Sequence, residues 1–209
     1  MIFLLGHVSM QRQIDEILHG KPRLWRPVRR RHTVCGVVNH PLPAIRPPRG
    51  ARRTSRPLSA FLSYKWGTDT EGRSNNSRVK RLALLLKAHG VCTWYDGHSM
   101  EGHHMVQSMC NGIDCCHAMI VCVTRAYIES CEATAQSNCR LEMDYAHMRD
   151  VENRKMIPVV MEGACTDTAT WKGPVGAYLG QKKYIDMSSD KVMMCNIDAL
   201  VDAIRLAVA

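Results

Sequence analysis

The sequence contains no apolar run long enough to cross a membrane, which takes about 20 consecutive apolar residues in a helix. Its first apolar stretch, residues 1–5, ends at Gly6 and is shorter than the core of a secretory signal peptide. These absences argue against insertion and against secretion. We therefore expect a cytoplasmic protein without a membrane span.

The ten cysteines include no Cys-x-x-Cys pair, a spacing common in zinc sites and redox centres. Cys92 and Cys122 lie inside predicted buried strands, which does not suit a disulfide framework. Reduced thiols in an intracellular protein fit this placement best. We predict no metal, because the one group that resembles a zinc site matches no known ligand spacing: His103, His104, Cys110 and Cys115.

Acidic residues are nearly missing from residues 1–57, which hold eleven Arg and one Lys against Asp15 and Glu16, a net charge of +10. This Arg- and Pro-rich segment is predicted to be a disordered tail. Its composition also fits a mitochondrial transit peptide, and an incorrectly assigned start codon would leave a similar tail. Residues 58–209 have a net charge of −1 and are predicted to form one folded domain, so we expect no specific nucleic-acid binding by that domain.

Short apolar runs alternate with helical patterns along residues 58–209. Runs without polar alternation are typical of strands covered on both faces of a parallel sheet. The predicted fold class is therefore α/β, a doubly wound five-stranded parallel sheet with helices on both faces. The predicted strands are residues 58–64, 91–95, 118–124, 156–161 and 183–186.

Four helices are predicted between and after these strands. Ser77 is placed to cap the first helix, and Gly90 to end it in the left-handed conformation. An unusually long connection is expected over residues 125–137. The predicted helices are residues 78–89, 104–111, 139–150 and 197–208.

Two details of the second half are also predicted. In the third predicted helix, Leu141, Tyr145 and Met148 are expected to face the core, with Glu142 on the other side. Pro158 cannot donate to a ladder, so one side of the fourth strand should be irregular or lightly paired there.

Five segments occur in an order that resembles a Toll/interleukin-1 receptor (TIR) domain, in particular the type common in protists and bacteria. The resemblance covers about residues 58–190, and the order of the five carries it, because no single segment is specific. The segments are Phe61-Leu-Ser-Tyr64, Trp94-Tyr-Asp96, Cys139-x-x-Glu142-x-x-x-Ala146, the stretch from Trp171 to Gly180, and Tyr184-Ile-Asp186.

The resemblance implies a flavodoxin-like strand order, 2-1-3-4-5, with a crevice at the carboxyl ends of strands one and three. Tyr64 and Lys65 leave strand one at that crevice. Glu142 lies near the start of the helix that is expected to follow strand three. Both parts of the resemblance therefore point to the same crevice.

Some TIR domains cleave NAD⁺ to nicotinamide and ADP-ribose or a cyclic product, whereas others only assemble with further TIR domains in signalling. The resemblance implies that Glu142 is the catalytic carboxylate and that NAD⁺ is a substrate rather than a bound cofactor. Lys65 would meet the pyrophosphate or adenosine end, and Tyr64 or Trp66 would stack. The expected binding residues are Ser63, Tyr64, Lys65, Trp66, Trp94 and Asn138.

Simpler interpretations of the same residues stay open. A glutamate in the first turns of a surface helix is usually solvated, and replacing it by Ala would then cost about 0.5 kcal/mol or less. Lys65 also fits an ordinary loop lysine, and Tyr64 a core residue.

The sequence departs from the family pattern at two places, and the first favours the alternative of a non-catalytic scaffold or a partner-dependent enzyme. Asn138 stands four residues before Glu142, where animal NAD⁺-cleaving TIR domains carry an aromatic residue. Residues 96–102 lack the Arg-Asp and Pro-Gly of receptor and adaptor TIR domains, which counts against a Toll-type adaptor. We expect homotypic self-association through this loop, where Gly97 and Gly102 free the backbone and Met100 offers an apolar contact.

A third alternative is a flavodoxin-like domain that senses a nucleotide without cleaving it. Such a domain would carry a glycine-rich loop or an aspartate cluster after strand one. Residues 65–76 have neither, so the sequence favours a TIR-type enzyme or scaffold.

Overall fold

The computed structural model describes residues 57–95, 105–132, 137–150 and 155–208. The predictions for the basic tail and for the self-association loop at residues 96–102 concern residues outside these ranges. The elements in chain order are β1 Ser59–Tyr64, α1 Asn75–Ala88, β2 Cys92–Tyr95, α2 Met105–Cys115, β3 Ala118–Val123, α3 Arg125–Glu132, α4 Asn138–Arg149, β4 Met156–Val160, two 3₁₀ turns Gly163–Cys165 and Thr168–Thr170, α5 Gly173–Leu179, β5 Ile185–Asp186 and α6 Asp190–Leu206.

The five strands form one parallel sheet in the order β2-β1-β3-β4-β5. This confirms the predicted fold class and strand order. The order reverses between β1 and β3, and their pairing aligns Ser63 with Val121. The crevice expected of such an order therefore lies beside the last residues of β1 and β3.

Helices cover both faces of the sheet. The first and last helices, α1 and α6, pack together on one face, while α2, α3, α4 and α5 pack side by side on the other. Every residue of β3 is buried, as is every residue of β1 after Ser59. Their runs of apolar residues without alternation reflect this burial on both faces.

The first helix begins one turn earlier than predicted. Ser74, rather than Ser77, is the N-cap, and its hydroxyl accepts a hydrogen bond from the Ser77 N–H. Both serines precede an apolar stripe, so the local pattern did not distinguish them. At the other end Gly90 has φ +78°, which confirms the predicted left-handed position after the helix.

The predicted long connection after β3 is wrong, because Arg125–Glu132 forms helix α3. Its buried side chains are Tyr127, Ile128 and Cys131, whose spacing of one and four residues fits one face of a short helix. A second unpredicted helix, α5, follows the 3₁₀ turns. Short helices such as these present too few turns for a clear periodic pattern.

The predicted orientation of α4 is also wrong. Cys139, Glu142, Met143 and Ala146 form its buried side, whereas Met148 is 70% exposed. Apolar residues occur on more than one side of this helix, so hydrophobicity alone favoured the wrong one. The buried side includes a glutamate because its carboxylate finds a partner inside the protein.

The prediction for Pro158 is confirmed. Pro158 pairs with Val121 of β3, and in the described part of the sheet β5 pairs with β4 only at Val159 and Val160. One side of β4 is therefore lightly paired beside the proline, as its missing N–H requires.

Within the described ranges, no helix is both long and apolar enough to cross a membrane. The same residues contain no cluster of three or more His, Cys, Asp or Glu side chains suited to a metal ion. His103 and His104 of the zinc alternative lie outside them.

The backbone conformation of Gly90 gives a testable prediction. A Cβ at Gly90 would meet nothing within 4 Å, so its cost comes from the positive φ alone. We expect Gly90→Ala to lower the free energy of unfolding by about 1 kcal/mol, measured by urea denaturation. Gly163 is the matched control, because it has equal space without a positive φ. An equal loss in Gly163→Ala would contradict this explanation.

Candidate active site

The centre of the candidate site is a contact between Ser63 and Glu142. Ser63 is the second-last residue of β1, and its hydroxyl donates to the Glu142 Oε2 at 2.5 Å. Both side chains are buried, with Ser63 1% and Glu142 9% exposed. Buried polar groups need hydrogen-bond partners, and a carboxylate more than most. The pair therefore anchors α4 to the carboxyl end of β1.

This contact corrects the expectation that Glu142 is a solvated surface residue. Replacing it by Ala would leave the Ser63 hydroxyl without this acceptor and a space beneath α4. We expect a cost of about 1–3 kcal/mol rather than the 0.5 kcal/mol estimated for a solvated position. Glu142→Gln is the better probe of chemistry, because it removes the charge and keeps the size and an acceptor oxygen.

Tyr127 of α3 completes a chain of three hydrogen-bonding side chains. Its hydroxyl lies 2.7 Å from the Ser63 Oγ, and the residue is fully buried. Burial raises the pKa of Tyr127 well above its ordinary value, and nearby Cys131, Cys139 and Glu142 add to the effect. Tyr127 is therefore a neutral phenol that can donate one hydrogen bond.

Cys139 lies one turn before Glu142 on the same side of α4. Its Sγ is 3.6 Å from the Tyr64 carbonyl oxygen, within reach of a weak thiol hydrogen bond. Burial, with the charge of Glu142, raises the pKa of Cys139 to about 11. The thiol stays protonated at neutral pH, so it fills space beside the carboxylate and is not a nucleophile.

A second buried carboxylate, Glu162, lies two residues after the end of β4 and is 0% exposed. Its Oε2 accepts from the Thr70 N–H at 2.9 Å and from the Thr70 hydroxyl at 3.2 Å, while its Oε1 accepts from the Arg125 N–H at 2.5 Å. One side chain thus joins the loop after β1 to the first residue of α3. The sequence offered no signal for this role, because the three segments are far apart along the chain.

The loop after β1 is also held by an ionic cluster in which Asp69 and Arg78 are buried and Arg73 is partly exposed. Asp69 contacts the Arg73 Nε at 2.8 Å and an Arg78 nitrogen at 3.4 Å. Arg78 also donates to the carbonyls of Met161 and Met187, which follow β4 and β5. The loop is therefore tied to the ends of two strands on the other side of the crevice.

Hydrogen bonds decide the charge state of Asp69. Burial raises the pKa of its carboxyl, but the backbone and side-chain hydrogen bonds of Arg73, with its charge and the Glu71 N–H, outweigh that effect. The net result is a pKa below the ordinary value for aspartate. Asp69 is thus ionised at neutral pH and balances the buried guanidinium of Arg78.

The structure does not gather all the predicted binding residues around Glu142. Ser63 touches it directly, but strand alternation turns the Tyr64 side chain, which is buried, to the opposite face of the sheet. Lys65 follows at the crevice, close enough for its charge to lower the pKa of Cys139 against the larger effect of burial. Trp66 is 57% exposed on the loop beyond.

The other two predicted residues occupy different positions. Asn138 is exposed at the first residue of α4, one helical turn from Glu142. The Trp94 ring stacks on Phe61 with centroids 4.6 Å apart. A Cβ added at Gly112 of α2 would lie 3.0 Å from that ring, so Trp94 is packed beneath the helix.

A cavity of about 300 Å³ lies at the opposite edge of the sheet from Glu142. Its walls include Ala118 and Met119 at the start of β3 and Met156 at the start of β4. The candidate site is at the carboxyl ends of the strands, where α/β sheets of this order bind ligands. This cavity is therefore not part of the candidate site.

Comparison with known proteins identifies the family. The sequence model described as "TIR domain" matches residues 61–201, about two thirds of the chain. The crystal structure of a prokaryotic SEFIR domain superposes with a TM-score of 0.51 and 18% identity, covering 71% of this chain and 99% of that one. At this identity the structural match shows the fold alone. No curated protein matches the sequence.

The chain belongs to the TIR domain family, which confirms the resemblance seen in its motifs. It is a TIR-domain signalling protein, and TIR domains generally interact with one another. The matched range includes both Ser63 and Glu142. We therefore look for the function of the domain at this crevice.

The buried charge of Asp69 gives a prediction for pH. Asp69→Asn leaves Arg78 with less compensation, and we expect a loss of about 2–4 kcal/mol in unfolding free energy at pH 7. Because the folded-state pKa of Asp69 is lowered, its contribution is present above the unfolded value of about 4 and fades as pH falls below it. The difference between wild type and variant should therefore narrow below about pH 4.

Asp202 supplies the control for this measurement. It pairs with Arg205 at 2.7 Å, but both side chains are more than half exposed. Asp202→Asn should change the unfolding free energy by about 0.5 kcal/mol or less at any pH. A gap between wild type and Asp69→Asn that stays constant from pH 7 to pH 3 would rule out the ionised carboxylate as the cause.

Proposed function

We propose that this TIR domain is an NAD⁺ glycohydrolase and that Glu142 is its catalytic carboxylate. The observation that supports the proposal is the placement of Glu142, 9% exposed and hydrogen-bonded to Ser63, at the carboxyl end of β1. A carboxylate fixed in a poorly solvated crevice acts on a developing positive charge more strongly than one in water.

The reaction requires little acid–base chemistry. The bond between the ribose C1′ and the nicotinamide nitrogen breaks, and its electron pair leaves with nicotinamide, which becomes neutral. The ribose is left as an oxocarbenium ion, which the Glu142 carboxylate stabilises electrostatically. Water then adds to C1′ and releases a proton, giving ADP-ribose. A ribose hydroxyl of the same molecule that adds instead gives the cyclic product.

The remaining residues at the crevice fit the rest of the substrate. Lys65 is partly exposed directly after β1 and would offer its ammonium to the pyrophosphate. Trp66 presents an exposed ring for stacking on adenine. Asn138, on the exposed turn before Glu142, would contact the substrate by hydrogen bonds instead of stacking. The packed position of Trp94 makes it a support for the sheet in this proposal.

The charge of Glu142 gives the decisive test. Purified full-length protein should release nicotinamide from NAD⁺, and Glu142→Gln should lower the rate by at least about 100-fold. The matched control is Glu129→Gln, which removes an exposed carboxylate from the adjacent helix α3 and should leave the rate unchanged. Circular dichroism and the thermal midpoint must match for both variants.

Two results would count against the proposal. Equal rates for wild type and Glu142→Gln would show that the carboxylate is not catalytic. No release of nicotinamide at any protein concentration would favour the scaffold, which requires no chemistry from Glu142.

A non-catalytic scaffold that signals by homotypic contact is the second candidate. The observation in its favour is Trp66, a large apolar side chain 57% exposed on the loop after β1. Exposed aromatic residues commonly anchor protein interfaces. Self-association and catalysis are also compatible, because an interface beside the crevice would order the residues around Glu142.

Protein concentration distinguishes these possibilities. If assembly completes the site, nicotinamide release per molecule should rise with protein concentration, while light scattering reports growing assemblies. Trp66→Ser should weaken both effects if this loop is part of the interface. Assembly that persists in Glu142→Gln with no release of nicotinamide would separate the two functions. A constant rate per molecule across the dilution series would identify a self-sufficient monomer.

A further inference from the structure

Tyr127 has a polar atom that the proposed reaction does not use. Its hydroxyl is buried between β1 and α4, where it lies 2.7 Å from the Ser63 Oγ and 3.5 Å from the Cys139 carbonyl oxygen. A phenylalanine would fill nearly the same space without a buried polar group to satisfy. The hydroxyl therefore calls for an explanation based on its hydrogen bonds.

The number of protons on the two hydroxyls and the carboxylate determines which atom donates in each hydrogen bond. A serine hydroxyl has one proton, and in the 2.5 Å contact Ser63 gives it to Glu142. The Tyr127 hydroxyl must then donate to the Ser63 Oγ, because the serine has no second proton to give. The chain runs in one direction, from Tyr127 to Ser63 to Glu142.

We propose that Tyr127 is a positioning residue that acts on Glu142 through Ser63, holding the carboxylate in its ionised form and in one orientation. The inference rests on the proposed function and adds to it a residue from a third element, α3. Donation by the phenol polarises the serine hydroxyl and strengthens its own donation to the carboxylate. A hydrogen bond to the charged form of an acid favours that form.

The hydrogen bonds could also run in the opposite direction, because the Cys139 carbonyl oxygen can accept from the Tyr127 hydroxyl. If Glu142 takes up a proton, it donates to Ser63, Ser63 donates to Tyr127, and the phenol turns to the carbonyl at 3.5 Å. That contact is at the long limit of a hydrogen bond, whereas the Tyr127–Ser63 contact is short. The geometry thus favours donation from Tyr127 to Ser63 and from Ser63 to Glu142, which is the direction expected when Glu142 is ionised.

Titratable and charged groups near this row of hydrogen bonds lie on α3, on α4 and directly after β1. On α3, Tyr127 and Cys131 face Glu142 as neutral groups, because burial raises the pKa of both. Cys139 on α4 is likewise neutral, Lys65 after β1 is a nearby cation, and the charges of Arg140 and Asp144 on α4 act on Cys131. The side chains that face α4 from α2 and α5 meet its other residues: Asp114 contacts Tyr145 and Arg149, and Tyr178 contacts Asp144.

The test is the pH dependence of NAD⁺ cleavage by the full chain. Tyr127→Phe should lower kcat about 5-fold at neutral pH with little change in KM, and should move the acid limb of the profile to higher pH by about half a unit to one unit. A residue that only fills space would lower the rate by the same factor at every pH. That result would overturn the inference.

Two further variants show whether the effect passes through Ser63. Ser63→Ala removes the link, so adding Tyr127→Phe to it should cause no further loss. If the losses in rate of the two single variants multiply in the double variant, Tyr127 does not act through Ser63. Tyr145→Phe is the matched control, because it removes a phenol whose hydroxyl contacts Asp114, at 2.8 Å, and not Glu142. The pH profile of this variant should follow that of the wild type.

A direct titration keeps this inference separate from the proposed function. In protein with ¹³C-labelled glutamate, the carboxyl signal of Glu142 is the one that disappears in Glu142→Gln. Its midpoint should move to higher pH in Tyr127→Phe and stay in place in Tyr145→Phe. If the midpoint shifts in a protein that never cleaves NAD⁺, the role of Tyr127 would be supported and the proposed enzymatic function would be refuted. If the midpoint does not move in a protein that cleaves NAD⁺, the enzymatic function would be supported and the role of Tyr127 would be refuted.

Discussion

Burial of a carboxylate between α4 and β1 is the constraint on which the site depends. Glu142 is mostly removed from water, so the protein must supply the hydrogen bonds that water would have made. Ser63 supplies one at 2.5 Å, and it does so only because α4 turns its Glu142 side toward the sheet. Helix orientation, strand end and chemical group are therefore fixed together.

The same principle recurs around the carboxyl edge of the sheet. Asp69 and Glu162 are buried acids that bind backbone N–H groups in the loop after β1, and Glu162 also binds the first N–H of α3. These acids hold the loop without using its apolar side chains. Trp66 is consequently left exposed at the rim while the chain on either side of it is anchored.

The strands could be predicted from apolar runs in the sequence, and the resemblance to TIR domains implied their order. Uninterrupted apolar runs mark β1 and β3, and the TIR motifs place Glu142 and Ser63 at the same edge. The side of α4 that faces the core could not be predicted, because apolar residues occur on several sides of it. A charged residue was assigned to solvent by default, and only the position of Ser63 reverses that assignment.

Other parts of the site depend on contacts between distant segments. Tyr127 lay in a segment interpreted as a connection, and its hydroxyl meets Ser63 across 64 residues of sequence. Glu162 meets Thr70 across 92 residues. Neither partner carries a local pattern that identifies the other. The two candidate residues in the family motifs could therefore be named from the sequence, whereas the residues that hold them in place could not.

The alignment of β1 in the sheet has a consequence for tolerance to insertions. Ser63 faces α4 because it pairs with Val121, while its neighbours Leu62 and Tyr64 face the opposite helices. A single residue inserted or deleted within β1 would exchange the two faces and place Leu62 or Tyr64 beneath Glu142. Leu62 offers no donor at that position, and the ring of Tyr64 is much larger than the serine side chain that it would replace. Length variation in β1 is thus forbidden by the chemistry of the site as well as by the packing of the core, whereas the exposed turn around Trp66 is free of the first restriction.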